Sequence, residues 1–144
     1  MQNYDVAIAT DHAGVKLKAK IIKFLQQKNL KVLDLGTDGD ESVDYPDYAH
    51  KVIEEIREET ASRGILICGT GIGMSIVANR SSSIRAALCT SEYMAERSRM
   101  HNDANVLVLG SKLVPDELSL KMVEKFLETK FEGGRHSRRL AKIN

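Results

Sequence analysis

Residues 65–75, with the sequence ILICGTGIGMS, join a short apolar run to a glycine-rich loop that leads into a helix. Residues 65–68 show no polar alternation, which is typical of a strand that helices cover on both faces, as in a parallel sheet. Four further runs rich in Val, Ile, Leu or Ala have the same character, and they lie at residues 6–9, 31–35, 84–89 and 106–109. The sequence therefore predicts five short buried strands.

Amphipathic stretches separate these runs and predict helices. One stretch follows the start signals Asp44 and Pro46, and its apolar residues recur with the spacing of one helical face: Ala49, Val52, Ile53 and Ile56. Helices are also predicted after the first strand, over residues 91–100, from Pro115 onward and in the basic tail, residues 135–144. The alternation predicts an α/β fold, a three-layer α/β/α sandwich whose five-stranded parallel Rossmann-like sheet has helices on both faces. The order of the fourth and fifth strands stays open.

Composition limits the class of protein. The chain has 144 residues, of which 42% are hydrophobic and 28% charged, and this predicts one folded domain over residues 1–144 and excludes intrinsic disorder. A net charge of +1, from 21 Lys+Arg against 20 Asp+Glu, argues against a dedicated nucleic-acid or membrane-surface protein. No apolar run approaches the roughly 20 residues that span a bilayer, and the start of the chain lacks the pattern of a signal peptide. Because Cys68 and Cys89 form neither a disulfide framework nor a metal-binding pair, we expect reduced thiols and a cytoplasmic location.

Ligands of doubly wound sheets bind at the carboxyl ends of the strands, beside the point where the winding direction changes. Here that point is expected between the first and third strands. Asp11 and His12 follow the first strand, and the loop that begins at Cys68 follows the third. We therefore expect Asp11, His12 and Cys68 to converge on one crevice.

The glycine-rich loop matches none of three well-known motifs. It lacks the Lys of a P-loop, its G-x-G-x-G spacing differs from the dinucleotide fingerprint, and Met74 stands where the C-x5-R loop of tyrosine phosphatases has Arg. A cysteine and three glycines ahead of a helix would instead expose backbone amides that stabilise an anion, a developing oxyanion or a Cys68 thiolate. The alternative is that Cys68 is a small buried apolar residue and that the glycines make a tight turn. Cys89 is assigned to the core.

Two later segments carry further candidates. His101, just before the fifth strand, suits acid–base chemistry near neutral pH, although a lone histidine in this position is more often a helix cap or a surface residue. In the tail, Arg135 and Arg139 are four residues apart and would share one helical face, an arrangement that grips a phosphate. The alternative is a solvated basic tail. On the first interpretation, residues 133–144 complete a phosphate site.

Five motifs occur together, in this order: Asp11-His12-Ala13-Gly14, Asp44-Tyr45-Pro46, Cys68-Gly69-Thr70-Gly71-Ile72-Gly73, His101-Asn102-Asp103 and Gly133-Gly134-Arg135-His136. Over essentially the whole chain, they resemble the ribose-5-phosphate isomerase B family. The resemblance implies a metal-independent isomerase without a cofactor, which interconverts ribose 5-phosphate and ribulose 5-phosphate in the pentose phosphate pathway. It also implies a homodimer or a dimer of dimers, in which His101 and its neighbours complete the partner's site.

The resemblance further implies a role for each matched residue. Cys68 is the base that moves a proton between C1 and C2 of the sugar, through an enediolate that Thr70 and backbone amides stabilise. His101 assists opening of the furanose ring. Lys112 departs from the family, where Arg is common, and keeps the charge but loses the planar fork. The implied substrate-binding residues are Asp11, His12, Gly69, Thr70, Gly71, Ile72, Gly73, Asn102, Lys112, Arg135 and Arg139.

Three alternatives stay open. The first is an isomerase of a six-carbon sugar phosphate, such as allose 6-phosphate or galactose 6-phosphate, although Cys68 favours the pentose. The second is a receiver-type signalling module without enzymatic activity, because Asp11, Thr90 and Lys112 occupy the positions of its acid, Thr and Lys. Cys68, however, stands in place of the phosphorylated Asp. The third is a metal-dependent hydrolase built on His12, His101 and Cys68, but no pair of these has the spacing typical of zinc ligands.

Overall fold

The computed structural model describes residues 3–143, so that Met1, Gln2 and Asn144, the last residue of the predicted tail helix, lie outside the described residues. All strand pairings in the sheet are parallel. The five strands are β1 (Tyr4–Thr10), β2 (Val32–Asp34), β3 (Ala61–Cys68), β4 (Ala86–Leu88) and β5 (Val106–Gly110). This confirms the predicted five-stranded parallel sheet.

The strand order is β2-β1-β3-β5-β4. The chain leaves β3, forms the edge strand β4 and returns to place β5 beside β3. The switch point therefore lies between β1 and β3, as predicted. The sequence left the order of the fourth and fifth strands open, and in the structure β5 lies between β3 and β4. As a result, the loops after β1, β3 and β5 lie side by side at the carboxyl edge.

Strand lengths differ from the apolar runs in the sequence. The two edge strands β2 and β4 have three residues each and are shorter than the runs predict. Just outside β2, the Lys31 carbonyl and the Leu35 amide still hydrogen-bond to β1. In contrast, β3 starts at Ala61, four residues before the predicted run, and Ser62 and Arg63 are half-buried at its amino end. Because Ser62 and Arg63 are polar, the apolar pattern does not mark this end of the strand.

The helices are α1 (Val15–Gln27), α2 (Tyr45–Arg57), α3 (Ile72–Asn79), α4 (Glu92–Met100), α5 (Asp116–Glu128) and α6 (Arg135–Leu140). A short 3-10 turn, His12–Gly14, precedes α1. Helix α4 begins one residue later than predicted, because Ser91 is its N-cap and accepts a 3.1 Å hydrogen bond from the Met94 amide. Helix α6 ends at Leu140, before the predicted end of the tail helix. None of the described helices is long and apolar enough to cross a membrane.

Alternate residues of the central strands enter two separate apolar cores. Ile65 and Ile67 of β3 belong to a core that includes side chains of α1, α4 and α5, whereas Leu66 belongs to a second core with side chains of α2 and α3. Helix α2 lies close to the sheet at Gly64, where a Cβ atom would be 2.6 Å from Val52 Cγ1. Helices therefore cover both faces, as the continuous apolar runs predict.

Candidate active site

The loops after β1, β3 and β5 meet where β3 ends. The Asp11 amide donates to the Ile67 carbonyl at 3.2 Å, and the Ser111 amide donates to the Cys68 carbonyl at 2.9 Å. The Ser111 hydroxyl also donates to the Ala13 carbonyl at 2.9 Å. These bonds fix three loops around the Cys68 position and agree with the convergence predicted from the switch point.

Cys68 lies at the base of the glycine-rich loop. Its residue surface is 6% exposed, and its Sγ accepts a 3.2 Å hydrogen bond from the Gly71 amide. Gly71 has a φ of +80°, and a Cβ atom there would lie 2.6 Å from Leu88 Cδ1, so only glycine can hold this amide over the sulfur. Cys68 also packs in the core beneath α2 and α3. The sulfur is therefore buried, as the apolar alternative supposes, yet it contacts the amide-rich loop.

The loop leads into the amino terminus of α3. The Thr70 hydroxyl accepts from the Ile72 amide at 3.2 Å, and Thr70 itself is exposed. Among the described residues, the amides of Thr70 and Gly73 have no hydrogen-bond acceptor. Backbone amides at a helix amino terminus stabilise negative charge. The loop can therefore stabilise an oxyanion that forms above Cys68.

Lys112 borders the same loop because β5 lies beside β3. Its amide donates to the Gly69 carbonyl at 3.0 Å, and a Cβ atom at Gly69 would lie 3.8 Å from Lys112 Cδ. The side chain is exposed. An ammonium group at this position suits an anionic substrate.

Asp11 and His12 follow β1, beside the end of β3. Asp11 is buried, and its Oδ1 accepts from the Ala13 amide at 2.9 Å, which caps the short turn before α1. The exposed His12 accepts a 3.2 Å hydrogen bond through Nδ1 from the Val43 amide. This contact holds the loop between β2 and α2 against the candidate site.

Tyr45, at the start of α2, is a site residue to which the sequence analysis gave no role. A Cβ atom at Gly73 would lie 2.5 Å from Cε1 and Cζ of Tyr45, so the ring packs directly on the glycine-rich loop. The ring is partly exposed. The sequence feature that could have indicated this contact is the aromatic residue in the motif Asp44-Tyr45-Pro46.

His101 and Asn102 lie at the opposite ends of the strands, the amino edge of the sheet, just before β5 begins. Helix α4 starts after the carboxyl end of β4 and ends at Met100, and the chain then enters β5 at Val106. Gly110, at the far end of β5, pairs with Cys68. At a rise of about 3.3 Å per residue, β5 separates its two ends by about 13 Å. Within one chain, the structure therefore does not bring His101 and Asn102 to Cys68.

The tail lies beside His101. The Glu132 amide donates to the Met100 carbonyl at 3.1 Å. The rings of His101 and His136 stack with centroids 4.3 Å apart and an angle of 14°. Burial, together with the charges of His101 and Arg135, lowers the pKa of His136. The tail therefore presents Arg135 and Arg139, both exposed on α6, at the same edge as His101.

A buried arginine organises this edge. Arg99 Nη1 donates to Asp103 Oδ1 at 2.9 Å and to the Ala104 carbonyl at 2.6 Å, while its Nε donates to the Thr129 carbonyl at 3.3 Å. The Arg99 side chain is 3% exposed. These bonds join the turn after α4 to the segment before the tail, and so they fix His101 relative to α6.

The candidate residues thus form two groups. The carboxyl-edge group consists of Asp11, His12, Cys68, Thr70 and Lys112, and the amino-edge group consists of His101, Asn102, Arg135 and Arg139. Cys89 belongs to neither group, because it lies in the core, where burial raises its pKa to about 11. Its assignment to the core is confirmed.

Comparison with known proteins identifies this arrangement. The family model described as Ribose/Galactose Isomerase matches residues 6–143. The chain belongs to the ribose/galactose isomerase family. Among its relatives in this family, the ribose-5-phosphate isomerase B of Escherichia coli (strain K12) is 44% identical over 138 residues, with 96% of this chain and 93% of that protein covered.

Solved structures of the ribose/galactose isomerase family agree with the fold described above. The ribose 5-phosphate isomerase of Thermotoga maritima has a TM-score of 0.95 and 52% identity and covers 99% of this chain and 98% of that chain. The ribose-5-phosphate isomerase B of Mycoplasma genitalium, solved with bound ribulose-5-phosphate, has a TM-score of 0.93 and 42% identity and covers 99% of this chain and 95% of that chain. Membership of this family favours an isomerase over a receiver module. In addition, Thr90 does not lie where a receiver module has its Thr, because it follows the edge strand β4, which is not a neighbour of β3.

Proposed function

We propose that this protein interconverts ribose 5-phosphate and ribulose 5-phosphate. The observation that carries the proposal is the similarity, at 42% identity and over 99% of this chain, to an isomerase solved with ribulose-5-phosphate bound. The chemistry of the carboxyl-edge group supports it independently. Isomerisation needs a base beside a carbonyl and a stabilised oxyanion, and Cys68 with its loop offers both.

The proposed reaction is a proton transfer through an enediolate. The Cys68 thiolate removes the proton from C2 of the open-chain aldose, and the electron pair of that C–H bond forms the C1–C2 double bond as the negative charge moves onto O1. A proton then passes from O2 to O1, and the Cys68 thiol, after exchange of its proton with solvent, protonates C1, which leaves the ketose. Thr70 and the amides from Gly69 to Gly73 stabilise the charged intermediate, and one such donor contributes about 3 kcal/mol in other enzymes.

The amino-edge group supplies the remaining functions in this proposal. His101 assists ring opening, Asn102 contacts the sugar, and Arg135 and Arg139 hold the phosphate with charge-assisted hydrogen bonds. These residues lie at the edge opposite Cys68, and a site that uses both groups therefore takes them from two chains. We accordingly propose a homodimer, or a dimer of dimers, with shared sites.

The surface around the carboxyl edge supports such a dimer. Large apolar side chains are exposed on α3, on the first turn of α4 and after β5: Ile72, Ile76, Tyr93, Met94 and Leu113. A symmetric dimer buries the same patch of both subunits and produces two equivalent shared sites. In the proposed dimer, the amino-edge group of one subunit faces the carboxyl-edge group of the other.

Four further assignments belong to this proposal. Asp11 and His12 bind sugar hydroxyls, and Lys112 contributes a positive charge to the substrate contact. Residues 1–144 act as one isomerase domain, in which residues 133–144 complete the phosphate site. The two free cysteines are consistent with a reducing compartment, the cytoplasm.

An isomerase of a six-carbon sugar phosphate is the second candidate, because the family name includes galactose isomerases. The test is a side-by-side assay of ribose 5-phosphate, allose 6-phosphate and galactose 6-phosphate in D2O, with and without a chelator. We expect turnover to be fastest with ribose 5-phosphate and to be unaffected by the chelator, with solvent deuterium appearing in the product. A preference for either hexose phosphate contradicts the pentose assignment, and product without deuterium contradicts exchange through an acidic group such as Cys68.

A further inference from the structure

Three side chains at the amino edge, those of His101, Glu132 and His136, converge on one another. Glu132 Oε1 lies 3.8 Å from His101 Nε2 and 3.5 Å from His136 Nε2. One ligand atom from each of the three residues lies within 4.8 Å of the other two. Ligand atoms bound to tetrahedral zinc at 2.0–2.1 Å are about 3.3 Å apart. The three groups are therefore close to the dimensions of a metal site.

His136 adds an independent observation. Its side chain is 6% exposed, and its Nε2 is buried without a hydrogen-bond partner among the described residues. Buried polar nitrogens are normally paired. This unpaired nitrogen lies beside the Glu132 carboxylate, and a cation held between them would give it a partner.

We propose that His101, Glu132 and His136 bind a divalent metal ion of the zinc class and that the bound ion withdraws His101 from the sugar. Two imidazoles and one carboxylate form a donor set that zinc and cobalt(II) accept, with water in the fourth position. The second half of the proposal rests on the proposed function, because it takes His101 to act on the substrate.

Coordination requires one ring to turn. The rings of His101 and His136 are nearly parallel, so their in-plane lone pairs do not point to a common ion. The His101 side chain is 36% exposed and can rotate about its Cβ–Cγ bond, whereas His136 is enclosed. The rotation that brings His101 to the metal also removes it from its position for ring opening. The metal is therefore an inhibitor of the isomerase.

Neighbouring positive charges limit the affinity of this site for a metal ion. Arg135 and Arg139 act on His136 with positive charge, and they oppose the approach of a cation. Glu132 is the carboxylate that offsets them. We therefore expect weaker binding than at a structural zinc site, and the titration below covers about 1 µM to about 1 mM.

The test is a cobalt(II) titration of the metal-free protein, followed by visible absorption. We expect one cobalt per chain, a spectrum of low-coordinate cobalt, and its displacement by zinc. Glu132→Gln and His136→Asn should each weaken binding at least about tenfold. His50→Gln, which removes an exposed histidine of α2, should bind cobalt like the wild type. Two ligand variants keep the test decisive if one of them fails to fold.

Absence of the spectrum up to about 1 mM cobalt, or equal affinity in the wild type and both ligand variants, overturns the metal site. The cobalt signal does not depend on catalysis, so it distinguishes failure of the metal site from failure of the proposed isomerase. The inhibitory half is tested by adding zinc during turnover of ribose 5-phosphate. We expect zinc to slow the wild type and His50→Gln, and unchanged turnover at saturating zinc overturns that half.

Discussion

The two edges of the sheet carry chemistry in different ways. At the carboxyl edge, the loop that contacts Cys68 is built from backbone, and Gly71 holds its amide 3.2 Å from the sulfur. At the amino edge, side chains set the geometry, because Arg99 fixes the turn after α4 and His101 stacks on His136. The difference implies that the carboxyl edge depends on a few irreplaceable residues. The amino edge depends on a network whose members each contribute part of substrate binding.

The two cysteines offer the sharpest test of the carboxyl edge. Cys68→Ala should lower kcat at least about 10³-fold, because it removes the base from the proton transfer. Cys89→Ala should leave kcat unchanged, since that thiol is buried in the core and burial raises its pKa to about 11. Steady-state assays on folded variants, checked by circular dichroism, measure both. Wild-type turnover by Cys68→Ala would contradict the assignment of Cys68 as the base.

The tail arginines test the amino edge. Arg139→Ala should raise KM for ribose 5-phosphate about 10–100-fold, because one charge-assisted contact to the phosphate is lost. Arg138→Ala is the matched control, since it removes an exposed arginine of the same helix that lies outside the amino-edge group. An equal rise in KM for both variants would indicate general charge attraction and no specific phosphate contact.

His136 makes the stability of the amino edge depend on pH. Its pKa is lowered in the folded state, chiefly by burial, so the unfolded chain binds this proton more readily. The stabilisation by neutral His136 is complete above the ordinary histidine pKa of about 6.5 and is lost as the pH falls through the folded value. Between about pH 7.5 and 5.5, in the presence of a chelator, Tm of the wild type should fall more steeply than Tm of His136→Asn. Parallel curves would contradict this account.

The sequence predicts most of the carboxyl edge because its features are local. Apolar runs mark the strands, and the cysteine with three glycines marks the loop. The position of Lys112 beside Gly69, however, depends on β5 entering the sheet next to β3, and this order results from packing across the whole sheet. The ring of Tyr45 on Gly73 is a contact between distant segments and has no local signal.

The amino edge is less accessible from sequence. The spacing of Arg135 and Arg139 predicts a shared face, and the short helix α6 allows it. The stacking of His101 on His136 and the placement of Glu132 depend on Arg99, which joins two segments that are 30 residues apart in sequence. Periodicity carries no information about such long-range side-chain bonds.

The central claim is that one active site takes its carboxyl-edge group and its amino-edge group from two different chains. Co-expression of Cys68→Ala with His101→Asn tests it most directly, because each variant alone lacks one group in both sites. In a symmetric dimer with random pairing, half of the dimers are mixed and each of these has one intact site, so about a quarter of wild-type activity should return. Activity no higher than the sum of the two separate variants would contradict the shared site.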